Sequence, residues 1–247
     1  MRHVGLHLAL GILLTGSQSL AGSVADFATD FSTTNNPNSV AYGTWSYNDG
    51  AAPLPTYIAN WAGSSGLSGW GPTANTGGDF LPFFTQVTSA NVSSTWANQA
   101  AVGDVIIHDW DSSNGDGNGQ ANVTWTSPSA MVATVSGQVW SPATTSTGRE
   151  QEYELILNPG PSQTVLVPLT PIIELTDTFS NPLTFSFSNV SLNSSDVVQL
   201  QVQEDPSSPF GNFTGVNLTI SSAPEPASLG LMIFTCLGAL AQRSRRG

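Results

Sequence analysis

Between His108 and Gln120 the chain reads HDWDSSNGDGNGQ, a stretch dense in hard oxygen donors. Asp109, Asp111, Asn114, Asp116 and Asn118 offer the carboxylate and carboxamide oxygens that calcium takes. Laid on an EF-hand loop, Asn114, Asp116 and Gly117 fill the third, fifth and sixth positions, but Ser112 opens the loop and Val123 closes it. The bidentate acid of that loop is therefore missing. The simpler reading is a Gly- and Asn-rich hairpin loop that uses left-handed backbone conformations. Calcium is the one cofactor for which the sequence offers ligands.

The seven tryptophans are the second group with chemistry to offer. The apolar face of a pyranose stacks on an exposed indole. Trp70 lies in the Gly-, Ser- and Pro-rich stretch WAGSSGLSGWGPTANTGG, residues 61–78, which reads as a long surface loop. Trp140 falls in phase with Gln138, Ser136 and Thr134, the wet positions of their segment. Both are candidate sugar platforms, whereas Trp125, in phase with Val123 and Ala121, is expected in the core. Catalysis finds less support. His108 is the only histidine in residues 22–222, and no G-x-S-x-G elbow accompanies it, so it reads as a hydrogen-bonded or solvated side chain. Glu150, Glu152 and Glu154 alternate along one segment and share its wet face. No catalytic residue is assigned, and the chain is not expected to be an enzyme.

Strands must position these residues, because period-two alternation dominates the chain. DVVQLQVQE, LTFSFS, QANVTWT, AMVATVSGQVW, YELIL and GVNLTI each alternate apolar with polar side chains. NDG at 48–50, NGDGNG at 114–119, NPGP at 158–161, NP at 181–182 and DPSSP at 205–209 supply turns between them. No window of residues 22–222 has a helical period. The expected fold is all-β, an antiparallel two-sheet β-sandwich of jelly-roll type, with an immunoglobulin-like sandwich as the other form. No fixed-period repeat is present.

Charge and the two ends frame this body. Residues 22–222 carry sixteen carboxylates against the single Arg149, which excludes nucleic acid as a partner. The sole cysteine, Cys236, lies in the tail, so the body has no disulfide. At the start, Arg2, the apolar run LHLALGILL and the small residues SQSLAGS form a secretory signal over residues 1–21, with cleavage after Ala21. At the end, Ala227 to Gln242 carries no charge and would span roughly 24 Å as a helix. Arg243, Arg245 and Arg246 follow it as a positive stop that keeps the body outside the membrane.

Pro224-Glu225-Pro226, the apolar span and the arginine cluster, in that order, resemble the PEP-CTERM sorting signal of Gram-negative exported proteins, also labelled an ice-binding protein C-terminal domain. The resemblance covers residues 223–247. It implies that Pro224, Glu225 and Pro226 are the recognition site of an exosortase, a membrane transpeptidase that cuts the tail and passes the protein to the cell surface or extracellular matrix. Its implied partners are the exosortase and the general secretion machinery, with the inner membrane as a transient stop. The body is similar, more loosely, to bacterial extracellular sandwich domains of carbohydrate-binding jelly-roll type, on FSTTNNPNSVAYGTWSY and on the segment from Val102 to Trp140. That likeness implies a fold and no site residues. The sequence thus describes an exported, non-catalytic protein, structural or adhesive in the envelope or biofilm, with extracellular polysaccharide as a candidate partner. The alternatives are a carbohydrate-binding module with a defined sugar site and a secreted glycan-active enzyme.

Overall fold

Alternating side chains can bury one face of a strand only if another sheet covers it, and the molecule is built on that requirement. The structure is a computed structural model, and it describes residues 23–61, 66–72, 81–90, 99–111, 120–208 and 210–222. These residues belong to one compact unit, Gly22–Ala223. The signal segment, the sorting motif, the apolar span and the arginines of the tail lie outside the described residues.

In chain order the strands are β1 (Ser23–Asp26), β2 (Asn38–Val40), β3 (Gly43–Asp49), β4 (Ala52–Pro53), β5 (Thr56–Ile58), β6 (Gly69–Gly71), β7 (Phe83–Gln86) and β8 (Val105–His108). They continue with β9 (Ala121–Thr126), β10 (Met131–Trp140), β11 (Gln151–Leu157), β12 (Thr164–Ile172), β13 (Leu183–Leu192), β14 (Val197–Glu204) and β15 (Phe213–Ser222). The described residues are all-β, as expected. Sheet A runs β13-β10-β15-β8-β7-β6-β5, with β1 also paired to β15. Sheet B runs β12-β11-β14-β9-β3-β2, with β4 on β3, and the pairings within both sheets are antiparallel.

Inward positions of the two sheets meet in one core. Val105, Ile107, Val135 and Leu218 come from sheet A, and Trp45, Val123, Trp125 and Leu200 from sheet B. The motif around residue 36 closes one side of it. Asn36 donates through Nδ2 to the carbonyls of Tyr47 and Leu54, each at 2.8 Å, and its Oδ1 accepts the Tyr47 amide at 2.9 Å. Its side chain therefore acts as a piece of strand beside β3.

Around β5–β8 and the Trp140 end of β10, sheet A is buried on its second face as well, and this overturns two expectations. Ile58, Trp61, Leu67, Leu81 and Phe83 form one outer cluster, and Val87, Ile106 and Trp140 another. Trp140 does stand on the face opposite the main core, as its phase predicts, but that face is dry around Val87, Ile106 and Trp140, and Trp140 is 0% exposed. The stretch 61–78 is likewise not a surface loop throughout. It contributes β6, and it buries Trp61, Leu67 and Trp70.

Candidate functional site: a polar groove on sheet B

The outward side chains of sheet B build a recess whose floor is largely shielded from solvent, with Ser46, Asn48, Asn122 and Gln199 buried. Ser46 and Asn48 on β3, Asn122 and Thr124 on β9, and Gln199 and Gln201 on β14 line a groove of about 580 Å³. That volume falls within the ordinary range for small-molecule sites. The β3–β4 turn at Gly50–Ala51 and the β11–β12 turn at Pro159–Gly160 bound it. A smaller recess of about 280 Å³ lies beside Pro142, Thr147, Asn212 and Phe213, just below that range.

Hydrogen bonds fix both floor and walls. Asn48 donates to Asn122 Oδ1 at 2.9 Å and to Thr124 Oγ1 at 3.3 Å, while Ser46 Oγ donates to Asn48 Oδ1 at 2.6 Å. Asn122 then reaches up with Nδ2 to the Gly50 carbonyl at 2.6 Å, which ties the floor to one wall. The opposite turn is tied down by Asn158, which donates to Asp196 at 3.0 Å and accepts the Val197 amide at 2.8 Å. Along β14 the carboxamides form a rail: Gln199 donates to Gln201 and Gln201 to Gln203, each at 3.2 Å. Gln203 donates in turn to Glu152 at 3.4 Å. None of the residues lining the groove ionises in the neutral range. A carboxamide has two N–H donors and two acceptor lone pairs. Gln199 and Gln201 each donate along the rail once and keep capacity for a guest, whereas Asn48 and Asn122 spend their N–H groups within the floor.

The residues singled out in the sequence lie elsewhere. Trp70 is 5% exposed, packs edge-on against Tyr57 and donates its indole N–H to the Ser32 carbonyl at 2.6 Å. Trp140 donates to the Gln99 carbonyl at 2.6 Å and lies over Gly215, where an added Cβ would come within 2.0 Å of its ring. With their faces and N–H groups taken by protein, neither serves as a sugar platform. Both are core residues, as Trp125 is.

Asp109 and Asp111 of the calcium stretch are buried, and Asn114, Asp116 and Asn118 lie outside the described residues. Asp109 Oδ1 accepts the Asn212 amide at 2.7 Å, but Oδ2 is buried without a hydrogen-bond partner. Burial pushes the Asp109 carboxyl well above the usual range. The Asn212 amide works against this, and the charges of Glu204 and Asp111 add to it. Among the described residues no three His, Cys, Asp or Glu side chains stand at metal-holding spacing. His108 is buried, meets the Phe213 ring edge-on and donates from Nδ1 to the Asp109 carbonyl at 2.9 Å. Glu174, beside the smaller recess, accepts from Ser146, from Thr147 through both N and Oγ1, from Gly148 and from Asn212. Partial burial pushes its pKa up, but the Thr147, Gly148 and Ser146 donors together outweigh burial and hold it low. It works as the pin of the 146–148 turn.

Sequence reasoning overlooked the groove residues, although a signal was present. The outward positions of β3, β9 and β14 hold Ser, Asn, Thr and Gln where solvated strands ordinarily mix in charges, and four of them, Ser46, Asn48, Asn122 and Gln199, are buried. No protein-family model and no curated protein matches the chain. Among solved structures it is similar to TmCBM61, solved in complex with beta-1,4-galactotriose, at TM-score 0.34 and 11% identity over 57% of this chain and 82% of that one. It is also similar to the Podospora anserina GH26-CBM35 beta-(1,4)-mannanase, at TM-score 0.31 and 16% identity over 60% of this chain and 27% of that one. Scores this low fix neither a ligand nor a site.

Proposed function

We propose that this chain is an exported, non-catalytic protein of the cell surface or extracellular matrix that holds polysaccharide in the groove of sheet B. The observation that carries the reading is the pre-formed floor of the groove, in which Ser46, Asn48, Asn122 and Thr124 form one hydrogen-bonded set and Gln199 and Gln201 another. Sugar hydroxyls both donate and accept, and so do carboxamides and side-chain hydroxyls, so the two surfaces match without charge. Delivery rests on the resemblance of Pro224-Glu225-Pro226 and the arginine-ended tail to the PEP-CTERM signal. Binding through hydrogen bonds in a wet groove is weak per site, and many copies fixed on one surface would supply avidity.

Calorimetric titration of the purified protein with a panel of polysaccharides tests this reading. Saturable binding is expected, and Gln199→Ala and Gln201→Ala should each weaken it roughly fivefold, the worth of one hydrogen bond of about 1 kcal/mol. Trp70→Ala and Trp140→Ala should instead lower the urea midpoint, by about 3–5 kcal/mol of stability. Binding that survives both glutamine substitutions unchanged would remove the groove from the account.

One observation supports a second reading beside the first. The buried Oδ2 of Asp109 has no hydrogen-bond partner and would accept a calcium ion, although no three His, Cys, Asp or Glu side chains group around it among the described residues.

A further inference from the structure

We infer, resting on the glycan-holding reading, that the groove selects an uncharged, hydroxyl-bearing glycan and rejects polyanionic ones. The residues that line it are amides, hydroxyls, prolines, glycines and aliphatic side chains. A carboxylate or sulfate guest only accepts hydrogen bonds, and it is held best by guanidinium or ammonium groups. The groove presents none. Arg149, the only cation in residues 22–222, has its guanidinium over the Phe210 ring at 5.2 Å and donates to the Gly211 carbonyl at 3.2 Å. Neither partner belongs to the groove.

Charge beside the groove acts in the same direction. Glu154 stands opposite Gln201 and Glu152 opposite Gln203 in the β11–β14 ladder, so both glutamates share the wet face with the amide rail. The rail also ends on Glu152, with each glutamine donating toward that carboxylate. A neutral hydroxyl can join such a chain as both donor and acceptor, whereas an anion laid beside Glu152 and Glu154 meets like charge with no counter-charge. Side chains at i and i+2 repeat every ~6.8 Å along a strand. The row Gln199, Gln201, Gln203 therefore offers one carboxamide after another to a chain polymer, not a single pocket to a free monosaccharide.

The test compares neutral polymers (a β-glucan, a galactan and a mannan) with a polyuronate and a sulfated galactan. Binding is measured by affinity electrophoresis and calorimetry at low and at physiological salt, on the wild-type protein and on Gln201→Ala and Gln201→Lys. The expected result is binding to at least one neutral polymer, little changed by salt, and weaker binding to both anionic polymers by about tenfold or more. Gln201→Ala should weaken the neutral complex about fivefold, and Gln201→Lys should raise affinity for the polyuronate in a salt-sensitive way. Equal or tighter binding of either anionic polymer by the wild type, lost in Gln201→Ala, would overturn the selectivity and leave the groove as a glycan site. Binding to no polymer of either kind, with both variants folded, would overturn the glycan-holding reading itself.

Discussion

Asp109 is the group in this molecule most at odds with its surroundings. An acid whose pKa is raised by folding binds its proton more tightly in the folded state than in the unfolded one. Its contribution to stability is therefore fully present below the ordinary carboxylate range, near 4, and is lost as pH rises toward the folded value. Asn at this position keeps the acceptor that takes the Asn212 amide and removes the titration. In chelator, Asp109→Asn should abolish this fall in stability above about pH 4, and it should be more stable than the wild type at neutral pH. Urea midpoints measured from pH 4 to 8 check this, and parallel curves for the two proteins would contradict it. Added calcium should raise the melting temperature of the wild type and not of the variant if the second reading holds, and an unchanged wild type would remove it.

Elements explain which parts of this fold were legible in the sequence. Strands β9, β10, β11, β13, β14 and β15 fall on alternating segments because one of their faces meets the core. Strand β12 was not anticipated, since Pro168 and Pro171 break its pattern. It tolerates them as the edge of sheet B, where missing donors cost least and proline discourages pairing with other chains. Strands β7 and β8 were missed because both faces are buried, so Phe83, Phe84, Ile106 and Ile107 give a continuous apolar run in place of alternation. The same second layer misled the reading of Trp140: alternation assigns a residue to a face, and it does not tell whether that face is wet. Gly215 is the device that lets Trp140 lie flat across β15, its partner in the ladder. Gly215→Ala should cost about 1–3 kcal/mol through overpacking, read as a lowered urea midpoint with the unfolding slope unchanged. An unshifted midpoint would mean that the ring moves aside at no cost.

At the scale of the whole molecule, a sandwich with sixteen carboxylates and one arginine in residues 22–222 has little to offer an anion. The groove on sheet B is lined by amides, hydroxyls and small or aliphatic side chains. On the proposed reading, surface delivery through the tail would put such a face where extracellular polymer is available. Glu225→Ala, or loss of residues 243–247, should leave the protein unprocessed and retained in cell fractionation; wild-type processing in both variants would contradict the sorting role. The groove was only half legible: alternation found the wet faces of β9 and β14, but strand order, which sets β3, β9 and β14 side by side, arises from long-range pairing that no local pattern reports. The groove on this face is proposed to hold a glycan. Titration of the wild type and of Gln199→Ala and Gln201→Ala with the neutral polysaccharide panel tests it most directly. Saturable binding, weakened about fivefold by either substitution with the fold intact, is expected; no binding, or binding indifferent to both glutamines, would show that this face holds no glycan.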